Sequence, residues 1–91
     1  MAQDPARPNL VDTAPTEDRL TAYDRAYLTT YLRLLDAAAE GADWTEVARL
    51  LLEINPLEQP SRARIRYESH LARARWMTDR GYLEFLRGSE D

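Results

Sequence analysis

The stretch Ser61-Arg-Ala-Arg-Ile-Arg-Tyr-Glu-Ser-His-Leu-Ala-Arg-Ala-Arg-Trp-Met-Thr-Asp-Arg-Gly81 decides the fold. Wound at roughly 100° per residue, it places Tyr67, Leu71, Ala74 and Thr78 on one line and Ile65, Ala72 and Trp76 nearly opposite. A helix with two apolar stripes is touched from two sides. It is either the central helix of a small bundle, or one stripe is core and the other, with Trp76, is a docking face. Arg62, Arg66, Arg73 and Arg80 fall within roughly 40° of one another between the stripes. Ser61 is the expected N-cap and Gly81 the expected break. Beyond it, Tyr82, Leu83, Phe85 and Leu86 are expected to form a short fourth segment that folds back as a lid.

Working outward, residues from about Ala22 to Glu40 carry Tyr27, Leu28, Tyr31, Leu34, Leu35 and Ala38 at three- and four-residue spacing, which predicts an amphipathic helix. Thr21 and Asp24 form a capping-box pattern, with Asp in place of Glu or Gln, and Gly41 supplies a left-handed stop. A second helix follows, capped by Asp43 with Glu46 completing the box. Val47, Ala48, Leu50, Leu51 and Ile54 give it a broad apolar face, and Asn55-Pro56 ends it. No segment alternates with period two, so no strand is expected. Residues 1–20 hold Pro5, Pro8 and Pro15, scattered acids and few large apolar groups. Such a composition predicts a disordered tail ahead of a domain at 21–88. Its roles are a dispensable tail or a segment that folds on a partner through Leu10 and Val11. The fold class is therefore all-α, a three- to four-helix bundle of helix-turn-helix type.

The chain has 91 residues, no cysteine and a net charge of −4. Disulfides and thiolate metal ligands are thereby excluded, and a reducing cytoplasm is the expected compartment. The N-terminus lacks the basic start and apolar run of a secretory signal. No apolar run approaches the roughly 20 residues of a membrane span, so no membrane partner is expected. All twelve cations are arginines, and they are unevenly placed. Residues 1–60 hold five arginines against eleven acids (−6), residues 61–81 six against two (+4), and the last ten residues add −2. Such a polarised layout points to partners.

Catalytic chemistry is not expected. His70 is the only histidine, and its place beside Ala74 and Met77 gives it a structural role. Ser69 cannot pair with it, because helical neighbours point roughly 100° apart. The three glycines form no phosphate loop, and no metal-ligand or cofactor pattern occurs. The arginine stripe is the feature requiring explanation. Arg62, Arg64 and Arg66 crowd a helix start, where the macrodipole disfavours cations. They either pair with nearby acids such as Glu53 and Glu58 or form a face for phosphate or an acidic protein surface. Arg64 with Glu68, and Arg75 with Asp79, have the spacing of ordinary surface pairs.

Thr21-Ala-Tyr-Asp through Tyr31-Leu-Arg-Leu-Leu-Asp36, Ala42-Asp-Trp-Thr-Glu-Val-Ala48, and Ser69-His-Leu-Ala-Arg-Ala-Arg-Trp-Met-Thr78 with Gly81-Tyr82 resemble QseM-like antiactivators of integrative and conjugative elements. The resemblance covers about residues 21–87. It implies a helix-turn-helix-like fold related to the C-terminal domain of the activator FseA. It also implies a role in blocking FseA-like or TraR-like transcriptional activators, which represses excision and conjugative transfer. On that reading the protein acts as a monomer and binds its activator through Arg62, Arg66, Arg73 and Arg80 with Trp44, Trp76 and Tyr82. Alternatively, the acidic surface of the first two helices mimics DNA toward a basic partner. A DNA-binding helix-turn-helix regulator using the arginine-rich helix is the other function class. Because the chain is acidic outside that helix, DNA is not expected as the partner.

Overall fold

The computed structural model describes residues 8–81, with side-chain environments through Asp79. Its helices are α1 (Ala22–Ala26), α2 (Leu28–Ala39), α3 (Trp44–Leu51) and α4 (Pro60–Trp76), the last running into a π-helical turn, Met77–Gly81. No strand occurs among the described residues. Helices α2, α3 and α4 pack on one another pairwise, giving the three-helix core expected of a helix-turn-helix-like domain. Tyr31, Leu34, Ala48, Leu52, Ala63 and Ala74 sit at its centre, each fully enclosed.

Local chemistry accounts for the element boundaries. Thr21 accepts from the Asp24 amide, and Asp24 returns the bond to the Thr21 amide, so the reciprocal capping box is made in full. The single helix expected from Ala22 to Glu40 is divided at Tyr27, whose φ −111° and ψ 24° leave the helical region. The Tyr27 hydroxyl is drawn away to the carbonyl of Pro8 at 2.6 Å. Gly41 adopts φ +74°, the left-handed conformation of a helix stop. Asp43 caps α3 through the Thr45 amide and hydroxyl. Glu46 does not close a box there and pairs instead with Arg49 at 3.0 Å.

Between α3 and α4 the chain turns through residues 52–59, longer than the tight three- or four-residue helix-turn-helix connection. Asn55 organises the turn, its side chain accepting from the Leu57 amide and its carbonyl from Glu58 and Gln59. Gln59 is the N-cap of α4 and Pro60 its first residue, so Ser61 lies inside the helix. Proline suits that position because its missing N–H would have no helical acceptor. Of the two stripes on α4, the line of Tyr67, Leu71 and Ala74 belongs to the core, although Thr78 at its end is exposed. Ile65 and Ala72 face outward and Trp76 is half-buried.

The larger departure from expectation is the N-terminal segment. Residues 8–20 are packed against α1 and α4, with Ala14 and Leu20 buried and Leu10 against the core. The Ala14 amide donates to Ser69 Oγ at 3.0 Å, and Ser69 Oγ donates to the carbonyl of Asp12 at 3.2 Å. A disorder argument from composition counts apolar groups, and this arm is held largely by polar bonds to α4. Residues 1–7 and the expected lid at 82–86 lie outside the described residues.

Candidate functional site

The arginines of α4 divide into an inner and an outer set. Arg73 is 4% exposed and meets the fully buried Asp24. Its Nε and Nη2 donate to the two carboxylate oxygens at 3.0 and 2.8 Å, a bidentate pair. The remaining donors reach the carbonyls of Glu17 and Arg19, and the guanidinium lies 3.9 Å from the Trp76 ring centre. Asp24 also accepts from the Tyr31 hydroxyl at 2.8 Å and from Thr21, so five hydrogen bonds converge on one carboxylate. Burial alone would raise the Asp24 pKa, but the Arg73 guanidinium and the Thr21 and Tyr31 bonds overcome it and hold the carboxyl below its ordinary range. Tyr31 is pushed well above the usual phenol range by burial and by the Asp24 charge.

One turn or two nearer the N-terminus of α4, Arg66 donates to the carbonyl of Leu52 and to Asp12, both at 2.8 Å. Its Nε is buried without an acceptor among the described residues. Arg62, exposed at the helix start, donates to the other Asp12 oxygen at 2.8 Å and to Gln59 at 2.7 Å. Hydrogen bonds from Arg66 and Arg62 lower the Asp12 pKa. His70 is fully buried: Nδ1–H donates to the carbonyl of Arg66 at 2.7 Å, which leaves Nε2 to accept from the Tyr23 hydroxyl at 2.7 Å. Burial lowers its pKa, the neutral ring fitting this pair of partners. Among the described residues no group of His, Asp and Glu could hold a metal ion.

The outward face of α4 carries Ser61, Arg64, Ile65, Glu68, Ala72 and Arg75. Arg64 Nε donates to Glu68 at 2.7 Å, and its guanidinium lies 4.7 Å from the Trp44 ring centre. Trp44 is itself half-buried against Tyr67, with ring centres 5.9 Å apart. Arg75 forms no ion pair with Asp79 among the described residues. A cleft of about 410 Å³ opens beside this face, lined by Trp44, Thr45, Glu46, Arg49, Asn55, Pro56 and Leu57.

The expected binding stripe is thus not one surface. Arg66 and Arg73 are internal, and their partners are Asp12 and Asp24 rather than Glu53 or Glu58. Arg62 is exposed but engaged, and the backbone of Arg80 lies in the π-helical turn. Trp44 and Trp76 are half-buried beneath Arg64 and Arg73 respectively, while Tyr82 lies outside the described residues. Arg64 is the residue whose setting the helical spacing conceals, since its second partner, Trp44, comes from another helix.

A three-helix core in which α3, a turn and α4 follow in order, with one face of α4 open, defines a small helix-turn-helix-like domain. Residues 4–87 match the family model of the RovC DNA-binding domain, described as "T6SS, Transcription factor, DNA binding domain", and the chain belongs to that family. Comparison with curated proteins gives no match. The family is one of DNA-binding transcription-factor domains, and this overturns the expectation that DNA is not the partner. It gives no support to the antiactivator reading, with its FseA-like or TraR-like targets. The charge argument fails because a whole-chain sum bears on solubility and non-specific association, not on which face meets a ligand. No helix among the described residues is long and apolar enough to cross a membrane.

Proposed function

We propose that the chain is the double-stranded-DNA-binding domain of a transcription regulator, with α4 entering the major groove by its N-terminal half and α3 lying across the backbone. Family membership over residues 4–87 is the observation that carries this reading. The fold is compatible in a specific way. The N-terminal arm covers the Arg66–His70–Arg73 side of α4, and α2 and α3 cover the Tyr67–Leu71–Ala74 side, so one face of α4 is left to solvent. The groove of B-DNA is about 12 Å wide and admits one such helix. Arg62 at the start of α4 and Arg49 on α3 are exposed but paired with Asp12 and Glu46, and a phosphate would have to take over from those carboxylates to fix the register of the duplex.

Fluorescence anisotropy with a labelled duplex from upstream of the chain's own gene tests the proposal. Binding should weaken as salt rises, with a log–log slope of about −2 to −4 for two to four neutralised phosphates. An unlabelled promoter duplex should compete better than a scrambled one. If micromolar protein gives no binding to any duplex at 50 mM salt, within about the range where non-specific binding is ordinarily measurable, the proposal fails.

A further inference from the structure

Among the arginines in the first two turns of α4, only one is both fixed in direction and open at its tip. Arg66 is buried, with both terminal nitrogens bonded inside the fold. Arg62 is held by Asp12 through Nε and by Gln59 through Nη1. Arg64, the fifth residue of the helix, uses Nε alone, on Glu68, and holds its guanidinium carbon over the Trp44 ring at 4.7 Å from its centre. Its Nη1 and Nη2 have no partner among the described residues. Arg75 is also on the outward face, but eleven residues further along, about 16 Å at 1.5 Å per residue, beyond the portion of the helix that reaches base edges.

This arrangement does two things that a free surface arginine lacks. The carboxylate and the ring restrict the rotamers of a long side chain, so less entropy is lost when it is used. By occupying Nε, Glu68 leaves the end-on pair of N–H groups, the fork that matches O6 and N7 of guanine. Glu68 also repels phosphate, so the site disfavours unspecific backbone contact while tolerating a base edge. Resting on the DNA-binding reading above, we propose that Arg64 is the base-reading residue of this domain, donating through Nη1 and Nη2 to a guanine in the major groove, with Glu68 and Trp44 as positioning residues.

The test is selection of duplexes from a randomised pool by the wild-type chain, R64K, R64A and E68Q, followed by anisotropy on the selected and a scrambled duplex. The wild type should select a site with one position fixed as guanine. R64K keeps the charge but loses the planar fork. It should leave scrambled binding unchanged and weaken the selected site by about 5- to 150-fold, the range of one bidentate base contact. E68Q should blur the guanine position without weakening scrambled binding, which loss of a merely structural residue would not do. Matching circular-dichroism melts for R64K and wild type exclude a folding defect. Retention of the guanine preference by R64A overturns the assignment, as does an equal loss on both duplexes in R64A, which marks a phosphate contact. If the wild type binds without any sequence preference, the assignment also falls while DNA binding stands. If it binds no duplex, the DNA-binding reading has failed and takes this one with it.

Discussion

Replacing Arg73 by methionine removes a guanidinium that is 4% exposed from a carboxylate that is fully buried. The side-chain volume is roughly retained, so the main loss is electrostatic. Two charge-assisted bonds to Asp24 and two bonds to the carbonyls of Glu17 and Arg19 disappear together. Removing one member of a buried, hydrogen-bonded ion pair costs about 3–5 kcal/mol, because the other charge is left without compensation. For a domain of this size that corresponds to a fall in Tm of about 15 °C or more, readable by circular dichroism or urea denaturation. The pH dependence supplies the sharper check. In the wild type the folded-state pKa of Asp24 is depressed. Its contribution is therefore fully present above the unfolded value of about 3.9 and is lost as pH falls through the folded value. In R73M, burial acts on Asp24 without the guanidinium, and its pKa rises. The stability gap between the two proteins should consequently narrow on acidification from about pH 5 to pH 2. A cycle with D24N should show a coupling of about 1–3 kcal/mol. A loss below about 1 kcal/mol, the worth of one ordinary hydrogen bond, or a gap that does not change with pH, would refute the ion-pair account.

A chain beginning at Thr21 should melt at least about 10 °C below the full chain, since it lacks the burial of Leu20, worth about 1.5–3 kcal/mol, and the partners of Arg62, Arg66 and Arg73; equal melting temperatures would show the arm to be dispensable. The His70 ring should titrate by NMR with a midpoint below its ordinary value of 6.5, because burial disfavours the charged ring. Its contribution to stability is then complete above that value and declines as pH falls toward the folded midpoint, so a midpoint above 6.5 contradicts the neutral bridge between Arg66 and Tyr23. Gly41→Ala should lower stability by about 1–2 kcal/mol in denaturant melts. Nothing lies within 4 Å of the added Cβ, so the loss comes from φ +74° alone, and Gly41→Asn should recover part of it.

Features of the fold that depend on neighbours in sequence were legible in it. The Thr21–Asp24 box, the Gly41 stop and the Asp43 cap each involve a few consecutive residues, and the apolar spacing of Tyr31 and Leu34 located the core face of α2. The break at Tyr27 was not legible, since the periodic spacing runs through it without interruption, and the Tyr27 hydroxyl bond to Pro8 reaches a segment with no periodic signal. The site was harder still. Asp12 and Arg66 are 54 residues apart, and Asp24 and Arg73 are 49 apart. An arginine stripe looks the same on a wheel whether its partners lie in the solvent or in a distant stretch of the same chain. The proline- and acid-rich composition of residues 8–20 concealed the answer further, since Asp12 is the partner of Arg62 and Arg66 and the backbone carbonyls of Glu17 and Arg19 complete Arg73. The whole-chain charge misled in the same way, because a sum over residues does not say which face meets a ligand. Arg64 and Glu68 were visible as a spacing, but the ring of Trp44 that gives the pair its direction arrives only when α3 packs on α4.

The convergence of Thr21, Tyr31 and Arg73 on the Asp24 carboxylate has a consequence for how this family varies. Loss of Arg73 leaves the buried Asp24 carboxylate without its counter-ion, and loss of Asp24 strands the buried guanidinium, so these two positions should drift as a unit. A relative with an apolar residue at the position of Arg73 should carry a neutral residue at that of Asp24 as well, having exchanged a polar pivot for a greasy one. Members that retain Asp24, Tyr31 and Arg73 should share the same crossing of the N-terminal arm over α4, because the arm's carbonyls complete the arginine. The triad is therefore a marker of architecture that can be followed through divergent sequences.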